Sequence, residues 1–490
     1  MSIALVAAAN ALRVNDVHSQ LNETTVSRVV RVTSLEVLRA AVREAAHAGV
    51  SIIVAGSRHA MGGQQFARGG WVLDMRPLKR VLTLDRDRGL VTAEAGIEWP
   101  DLIAELDRLQ PPHSHGARAT DPAPWAIVQK QTGADRLTLG GALAANIHGR
   151  GLQLAPMVSN VESFLMVDAN GELRTCSRTE NVDLFRGAIG GYGLFGVIAA
   201  VTLRLERRYQ LIRRVEIRDT YGLIDAFNRR ISENCTYGDF QFATDATDDA
   251  FLRTGVFSCY QRVDTSSGSS GGTVLASTNQ RALSPEDWRR LAYLAHVDKS
   301  RAFEMYARHY LSTEGQVYWS DTHQLAFYEP DYHTHLDRQP GVTSGTEMIT
   351  EIYVPRASLE AYLEDARRLL RARHADLIYG TIRLIERETQ EDETIMAWAR
   401  EPWACIIFNL HVTHTPAGIA RSAATFRGLI DLAIAHGGSY YLTYHRWATP
   451  AQLHSCHPRF DEFVALKRRV DPQSRFESDW YRHYAYADVP

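Results

Sequence analysis

The chain has 490 residues, 45% of them apolar and 23% charged, with a formal net charge of −3 and five cysteines. That length exceeds what one hydrophobic core serves, so two or more domains are expected. The near-neutral charge gives nucleic acid no electrostatic footing, and no apolar run reaches the roughly 18 residues of a membrane span, so neither partner is expected. Cys176, Cys235, Cys259, Cys405 and Cys456 are odd in number and scattered, which implies no disulfide framework and makes the cytoplasm the default location. Residues 1–12 are apolar and Ala-rich without a preceding Lys or Arg, and read as a packed or disordered terminus rather than a secretory signal.

In chain order, Thr33 with Glu36 reads as a capping box, followed by Leu35, Leu38, Val42 and Ala45 at helical spacing and Gly49 as a stop. A strand over Ile52–Ala55, a Gly69-Gly70 turn and a strand over Trp71–Asp74 come next. Val81–Leu84 and Leu90–Ala95 form a hairpin across the polar turn Asp85–Gly89. A helix runs from Trp99-Pro100 to Leu109, with Pro100 suited to the first turn. Alternating short strands and helices make an α+β domain. A dinucleotide-binding βαβ unit is excluded, because its glycine fingerprint with an acidic residue about 20 positions on is missing.

Near Leu205 the character changes, and Arg207, Arg208, Arg213 and Arg214 punctuate a new set of strands. Thr265–Gly272 reads as a flexible loop. Ser284-Pro285-Glu286-Asp287 starts a helix that continues in pieces to Leu311. Thr350–Val354, Leu377–Leu384 and Ala404–Val412 read as strands, the first two separated by an amphipathic helix over Ser358–Arg371. Alternation places Glu351 and Tyr353 on one strand face, and Asn409 and His411 on one face of another.

Three glycine-rich segments carry the chemistry. The first is Gly56-Ser57-Arg58-His59-Ala60-Met61-Gly62-Gly63-Gln64-Gln65, directly after an apolar strand. Glycines turn backbone N–H groups toward one point, a nest for phosphate; a histidine is superfluous for that and implies a second task. The second runs from Gln131 to Gly151 and includes Gly133, Thr138, Gly140, Gly141, Ile147, His148 and Gly149. The third runs from Phe185 to Ile198 and includes Gly190, Gly191, Gly193 and Gly196. Tight helix–strand packing needs small residues equally, and both uses can hold together.

These segments in this order resemble the FAD-binding domain of the vanillyl-alcohol oxidase / p-cresol methylhydroxylase flavoproteins. The closest look is to the branch of alditol oxidase, the aldonolactone oxidases and decaprenylphosphoryl-ribose oxidase. Val470–Asp479 resembles the family's closing motif. The resemblance implies a two-subdomain FAD-binding domain (PCMH type) over residues 1–205 and a substrate (cap) domain over 206–438 with an antiparallel sheet covered by helices. A C-terminal return to the FAD domain over 439–490 completes it.

It further implies FAD as cofactor, held by Gly56, Ser57, Arg58, His59, Ala60, Met61, Gly62, Gln64, Gln65, Gly133, Thr138, Gly140, Gly141, Ile147, His148, Gly149, Gly193 and Ile198. His59 stands where covalent members bond the flavin 8α-methyl; a plain hydrogen bond in the turn is the alternative. No cysteine lies between Gly133 and Gly151, so a second covalent link is not expected. Ile147, beside the flavin's reactive edge by this resemblance, would hinder oxygen and favour a dehydrogenase or slow oxidase.

The implied activity is oxidation of an alcohol C–OH on a sugar, polyol or sugar-like molecule by hydride transfer to flavin N5. Oxygen or another acceptor would take the electrons. Such chemistry needs a base for the hydroxyl proton and donors that fix the C–H geometry. Glu351, Arg383, Asn409 and His445 are the catalytic candidates, with His445 as base and Glu351 as its rival. Decaprenylphosphoryl-ribose oxidase keeps a lysine at the His445 position, so its phospholipid substrate is not carried over. The alternatives are an oxidase acting on a natural-product intermediate or lactone, and a non-catalytic flavin-binding protein. No metal site is expected: His333 with His335, and His454 with Cys456 and His457, lack a second ligand pair at recognisable spacing. His113 and His115 read as loop residues.

Overall fold

A computed structural model describes residues 12–110, 123–263, 280–326, 332–388 and 393–486. Thr265–Gly272, His113 and His115 lie outside them. The first helix, α1 (Leu35–Ala48), buries Leu38, Val42 and Ala45, and Gly49 ends it at φ 65°. Its cap is Ser34 rather than Thr33: the Ser34 hydroxyl accepts the Val37 N–H. Ser34 is the residue in extended backbone from which a hydroxyl reaches that amide.

Around α1 lies a parallel three-stranded sheet, in the order β1 (Arg28–Arg31), β3 (Trp71–Asp74), β2 (Ile52–Ala55). A five-stranded antiparallel sheet follows, made of the hairpin β4 (Val81–Asp85) and β5 (Leu90–Glu94), then β6 (Val161–Val167), β7 (Leu173–Ser177) and β8 (Val197–Arg204). Its order is β7-β6-β8-β5-β4. The helices α2 (Trp99–Leu109), α3 (Leu139–Ala145) and α4 (Val182–Ala188) belong to this part of the chain.

The rest centres on an eight-stranded sheet. Its strands are β9 (Gln210–Asp219), β10 (Cys235–Phe242), β11 (Thr254–Arg262), β12 (Val317–Trp319), β13 (Thr346–Pro355), β14 (Leu377–Ile385), β15 (Trp403–Val412) and β16 (Ser439–Tyr440), in the order β12-β9-β11-β10-β14-β15-β13-β16. Every pairing along it is antiparallel. One face carries α5 (Leu223–Ser232), α9 (Leu359–Ala372) and α10 (Pro416–Ala435), which pack on each other or on the strands.

The hairpin of α6 (Pro285–Val297) and α7 (Lys299–Leu311) meets β14, β9 and β11. Ser284 and Asp287 close a capping box on α6, and Asp298 breaks the hairpin between its helices. The short α8 (His333–Leu336) precedes β13. After α11 (Pro450–Cys456) and α12 (Phe460–Val470), the chain comes back to β2. The Ile52 N–H donates to the Arg475 carbonyl at 2.7 Å, and Phe476 bridges Ile52 in parallel before α13 (Asp479–Ala485). The architecture is α+β throughout.

Candidate active site

The three glycine segments and one face of the eight-stranded sheet enclose a cavity of about 600 Å³. β2 delivers the first segment. Arg58 adopts φ 62° and Gly63 φ 79°, so the loop doubles back tightly. It is anchored from the far end of the chain: Met61 N–H donates to the Thr443 carbonyl at 3.2 Å, and Gln64 Nε2 donates to the Leu442 carbonyl at 2.7 Å. His59 meets His18 Nε2 at 2.6 Å through Nδ1 and the Arg136 carbonyl at 2.9 Å through Nε2. Burial pushes His59 down to about 3 and His18 to about 4, so both rings are neutral at neutral pH.

Thr138 caps α3 by accepting the Gly141 N–H at 3.3 Å, and Gly56 presses on it: a Cβ added there would lie 2.1 Å from Thr138 Oγ1. Gly140 sits against Ala95, where an added Cβ would come within 2.8 Å of that methyl. In the third segment Tyr192 N–H donates to the Ala144 carbonyl at 2.9 Å, tying it to α3. Gly193 adopts φ 77° and lines the cavity, as does Ile198.

The sheet supplies the opposite wall through its registers. Glu351 pairs with Ile407, and Ile407 with Thr381; Ile349 pairs with Asn409, and Asn409 with Tyr379; Cys405 pairs with both Tyr353 and Arg383. Cross-strand partners share a face, so one side of β13, β15 and β14 presents Glu351, Asn409, Arg383 and Tyr379 to the cavity. At its centre is a buried pair: His148 Nε2 meets Glu351 Oε1 at 2.7 Å, and the Tyr353 hydroxyl donates to the same oxygen. His148 Nδ1 faces the Gly149 carbonyl at 2.8 Å. Both ring nitrogens thus face acceptors, and the pair is complete as an imidazolium with a carboxylate. Burial pushes the Glu351 carboxyl up, but His148, Tyr353 and Arg383 outweigh it and hold the group below its ordinary value.

Most of the residues singled out from the sequence line this cavity: Gly56 through Met61, Gln64, Gln65, Gly133, Thr138, Gly140, Gly141, Ile147, His148, Gly193, Ile198, Glu351, Arg383 and Asn409. Gly62 and Gly149 do not. The Gly62 N–H is turned to Gln64 Oε1 at 3.0 Å, and a Cβ on Gly149 would lie 2.7 Å from the Lys130 carbonyl, so both serve packing.

His445 is the principal correction. It is fully buried on the opposite side of the sheet, where Nε2 meets Thr350 Oγ1 at 3.2 Å and Nδ1 accepts the Trp447 N–H at 3.3 Å. Thr350 alternates with Glu351 and points away from the cavity, and the His445 ring packs on Tyr440 and on Phe426 of α10. Burial lowers it to about 3. It is no base for this cavity. Tyr444, its neighbour, faces inward instead, with Tyr441 beside it. Local spacing gave no sign of Tyr441, Tyr444, Arg150, Lys299 or the α6–α7 wall of Trp288, Phe303 and Tyr306, all of which line the cavity.

The lining fits an FAD. Arg58 Nε, Gln65 Oε1, Gln131 Nε2 and Thr132 Oγ1 on the glycine side are buried without a hydrogen-bond partner, as are Arg383 Nε and Asn409 Oδ1 on the sheet side. Buried polar atoms are seldom left so unless a ligand satisfies them. Beside these atoms, glycines clear the backbone approach that a cofactor's ribityl and pyrophosphate groups need.

Residues 26–120 match the model of an FAD binding domain. The chain is 34% identical over 183 residues to an uncharacterized oxidoreductase of the fasciation locus in Rhodococcoides fascians, a match spanning 36% of this chain and 37% of that protein. It is 25% identical over 479 residues to decaprenylphosphoryl-beta-D-ribose oxidase of Mycolicibacterium smegmatis, covering 94% of each. To L-gulono-1,4-lactone dehydrogenase of Mycobacterium tuberculosis it is 23% identical over 469 residues, covering 93% of this chain and 95% of the relative. With an FAD binding domain matched and full-length likeness to a named oxidase and a named dehydrogenase, the chain is an FAD-dependent oxidoreductase, similar to the FAD-binding flavoproteins of the vanillyl-alcohol oxidase / p-cresol methylhydroxylase family.

Proposed function

We propose that the chain oxidises the alcohol C–OH of a sugar, polyol or sugar-like small molecule. The observation that carries this is the Glu351–His148 pair opening, with Arg383 and Asn409, onto the same cavity as the three glycine segments. Bound FAD would supply the acceptor for the two electrons of the C–H bond. Glu351, ionised at neutral pH, takes the hydroxyl proton, while His148 and Tyr353 hold its carboxylate in place. Arg383 and Asn409 offer a cation and an amide to neighbouring substrate oxygens, and the α6–α7 hairpin excludes water. Ile147 lines the cavity and supports slow reaction with oxygen, with another acceptor taking the electrons.

The parallel and five-stranded sheets support a two-subdomain PCMH-type FAD domain over residues 1–205. Residues 206–438 are then the cap and 439–490 the return. Five free, buried cysteines support a reducing, cytoplasmic setting.

His59 is the proposed covalent anchor. Its ring is neutral, and the Arg136 carbonyl takes the Nε2 proton, which leaves the lone pair on Nδ1 beside His18. Acid precipitation tests this: the yellow chromophore stays with the polypeptide and is released in His59→Ala. Release from the wild type makes His59 a non-covalent contact.

A second substrate class, a natural-product intermediate or substituted lactone, is favoured by the apolar wall of Trp288, Leu291, Phe303 and Tyr306. Anaerobic mixing with polyols, aldonolactones and aryl or alkyl glycosides separates the two by which of them bleaches the flavin. If no member of either set does so, the protein binds flavin without oxidising alcohols.

A further inference from the structure

Beyond the cavity, on the same face of the sheet, four side chains converge that no local spacing in the sequence brings together. Glu347 of β13 and His411 of β15 are ladder partners. His296, in the last turn of α6, reaches down so that Nε2 lies 3.0 Å from Glu347 Oε1, and His411 Nδ1 lies 3.2 Å from the same oxygen. His333, the first residue of α8, places Nε2 against Glu347 Oε2. The donor atoms of His296, Glu347 and His411 all lie within 4.8 Å of one another. These four side chains are enclosed: side-chain exposure is 3% for His296, 3% for His411, 7% for Glu347 and 10% for His333.

Proton bookkeeping makes this cluster unusual. His296 Nδ1 lies 2.8 Å from the Ala292 carbonyl, which can only accept, so Nδ1 carries the proton. A neutral His296 then points the Nε2 lone pair straight at a carboxylate oxygen, which repels it. Either a proton or a cation must sit between them. Three imidazoles around one carboxylate cannot all take a proton without leaving net positive charge in a buried site.

A metal ion resolves these oppositions together. Zinc–nitrogen bonds of about 2.0–2.1 Å at tetrahedral angles set ligand atoms roughly 3.3 Å apart. The His296 and His411 contacts with Glu347, at 3.0 and 3.2 Å, already stand close to that spacing. The outer contacts follow the habit of metal-bound histidines, whose second nitrogen is held by a carbonyl or carboxylate. His296 does so through the Ala292 carbonyl, 2.8 Å from its Nδ1.

We infer that His296, Glu347 and His411 form a binding site for one divalent transition metal of the zinc class, with His333 bracing the other oxygen of Glu347. The site pins α6 and α8 to β13 and β15 next to Ala292, Ala295, Ile349 and Asn409, which line the cavity. The expectation of no metal site rested on local spacing, and His333 was weighed there with His335, which is not one of the four. This inference is independent of the proposed alcohol oxidation.

The test is metal analysis of tag-free protein grown in medium containing zinc, manganese, iron, cobalt, nickel and copper, and purified without chelator. About one zinc-class ion per chain is expected. Glu347→Gln and His411→Asn should each lose it at least about tenfold, while His454→Asn, on the surface, keeps it. X-ray absorption at the metal edge should show a nitrogen and oxygen shell with imidazole scattering and no sulfur. Chelator-treated wild type should melt lower and recover on addition of one equivalent of Zn²⁺, an arm that stands even if the variants fail to fold. The proposal is overturned if the wild type carries no metal and Zn²⁺ leaves its melting unchanged, or if the metal persists in both variants.

Discussion

Replacing Glu351 by Gln separates a chemical role from a structural one, because the two predict different magnitudes. The carboxylate is 1% exposed, and its Oε1 takes both the His148 and the Tyr353 contacts. A glutamine oxygen can stay where Oε1 stands. His148 then keeps its Nε2 proton, gives up the one on Nδ1, and loses the hydrogen bond to the Gly149 carbonyl. One such bond is worth about 1–1.5 kcal/mol, so Glu351→Gln should fold and stay yellow with a modest drop in melting temperature. Glu351→Ala, by contrast, strands the imidazolium in a buried site at about 3–5 kcal/mol and is the poorer probe.

Removing a general base costs about 10²–10⁴ in rate, or roughly 2.7–5.5 kcal/mol of barrier, which is well beyond the structural cost. The assay is anaerobic stopped-flow reduction of the bound flavin by a substrate found in the panel. The wild type adds a second signature. Because Glu351 sits below its ordinary value, its carboxylate is present throughout the neutral range, so the reduction rate should be flat from about pH 6 to 8 and fall only in acid. Reduction of Glu351→Gln within a few-fold of the wild type, or a wild-type rate that titrates near pH 6.5, would refute Glu351 as the base.

His445→Gln should lower stability by about 1–3 kcal/mol and leave flavin reduction within a few-fold, since the ring sits behind the sheet. Melting temperature and stopped-flow reduction check the two halves, and a large loss of rate at full flavin content would restore His445 to the chemistry. Acid unfolding tests the same burial. His445 and His457 are each lowered to about 3 in the fold, so the unfolded chain binds more protons between that value and the ordinary one near 6.5. Stability should therefore fall as pH drops through this window, by up to about 1.4 kcal/mol per pH unit for each ring, and less steeply in His445→Gln; denaturant titrations at successive pH values measure the slope. Gly56→Ala would set a Cβ 2.1 Å from Thr138 Oγ1. Either Thr138 rotates and surrenders the α3 cap, or the strand end shifts, at about 1–3 kcal/mol with weakened flavin retention, read as the flavin-to-protein ratio after dialysis.

What the sequence made visible is what is written locally. The glycine segments are each contiguous, and a nest or a close backbone approach is a property of a few neighbouring residues. Capping by Ser284 and Asp287, the stop at Gly49 and the β4–β5 hairpin are equally local. The one-residue error at the α1 start belongs here too, since Thr33 and Ser34 each carry a hydroxyl able to cap, and only Ser34 meets the Val37 N–H. Contacts that join distant segments left no such mark. His148 and Glu351 are 203 positions apart, and His296 and Glu347 are 51 apart. Nothing in either neighbourhood says that the partner will arrive.

Glu351 and His445 show how far alternation can be trusted. Glu351 lies inside a ladder of ten consecutive pairs between β13 and β15, with no register shift. A period of two propagates faithfully along such a strand, so the face read from sequence is the face observed. Asn409 and Arg383 inherit the same certainty, because their strands pair with that ladder, and the one irregularity in β14–β15 lies between Leu377 and Tyr379, before Arg383. His445 lies five residues beyond the end of β16, a strand of only two residues, and the intervening residues form turns. No ladder carries the period across them. Tyr441 and Tyr444 therefore both reach the cavity although they are an odd number of positions apart, and the histidine next to them turns the other way. Facing was legible where hydrogen-bonded pairing fixed the period, and at the end of the sheet it passed to the packing of Tyr440, Phe426 and Trp447 around an imidazole.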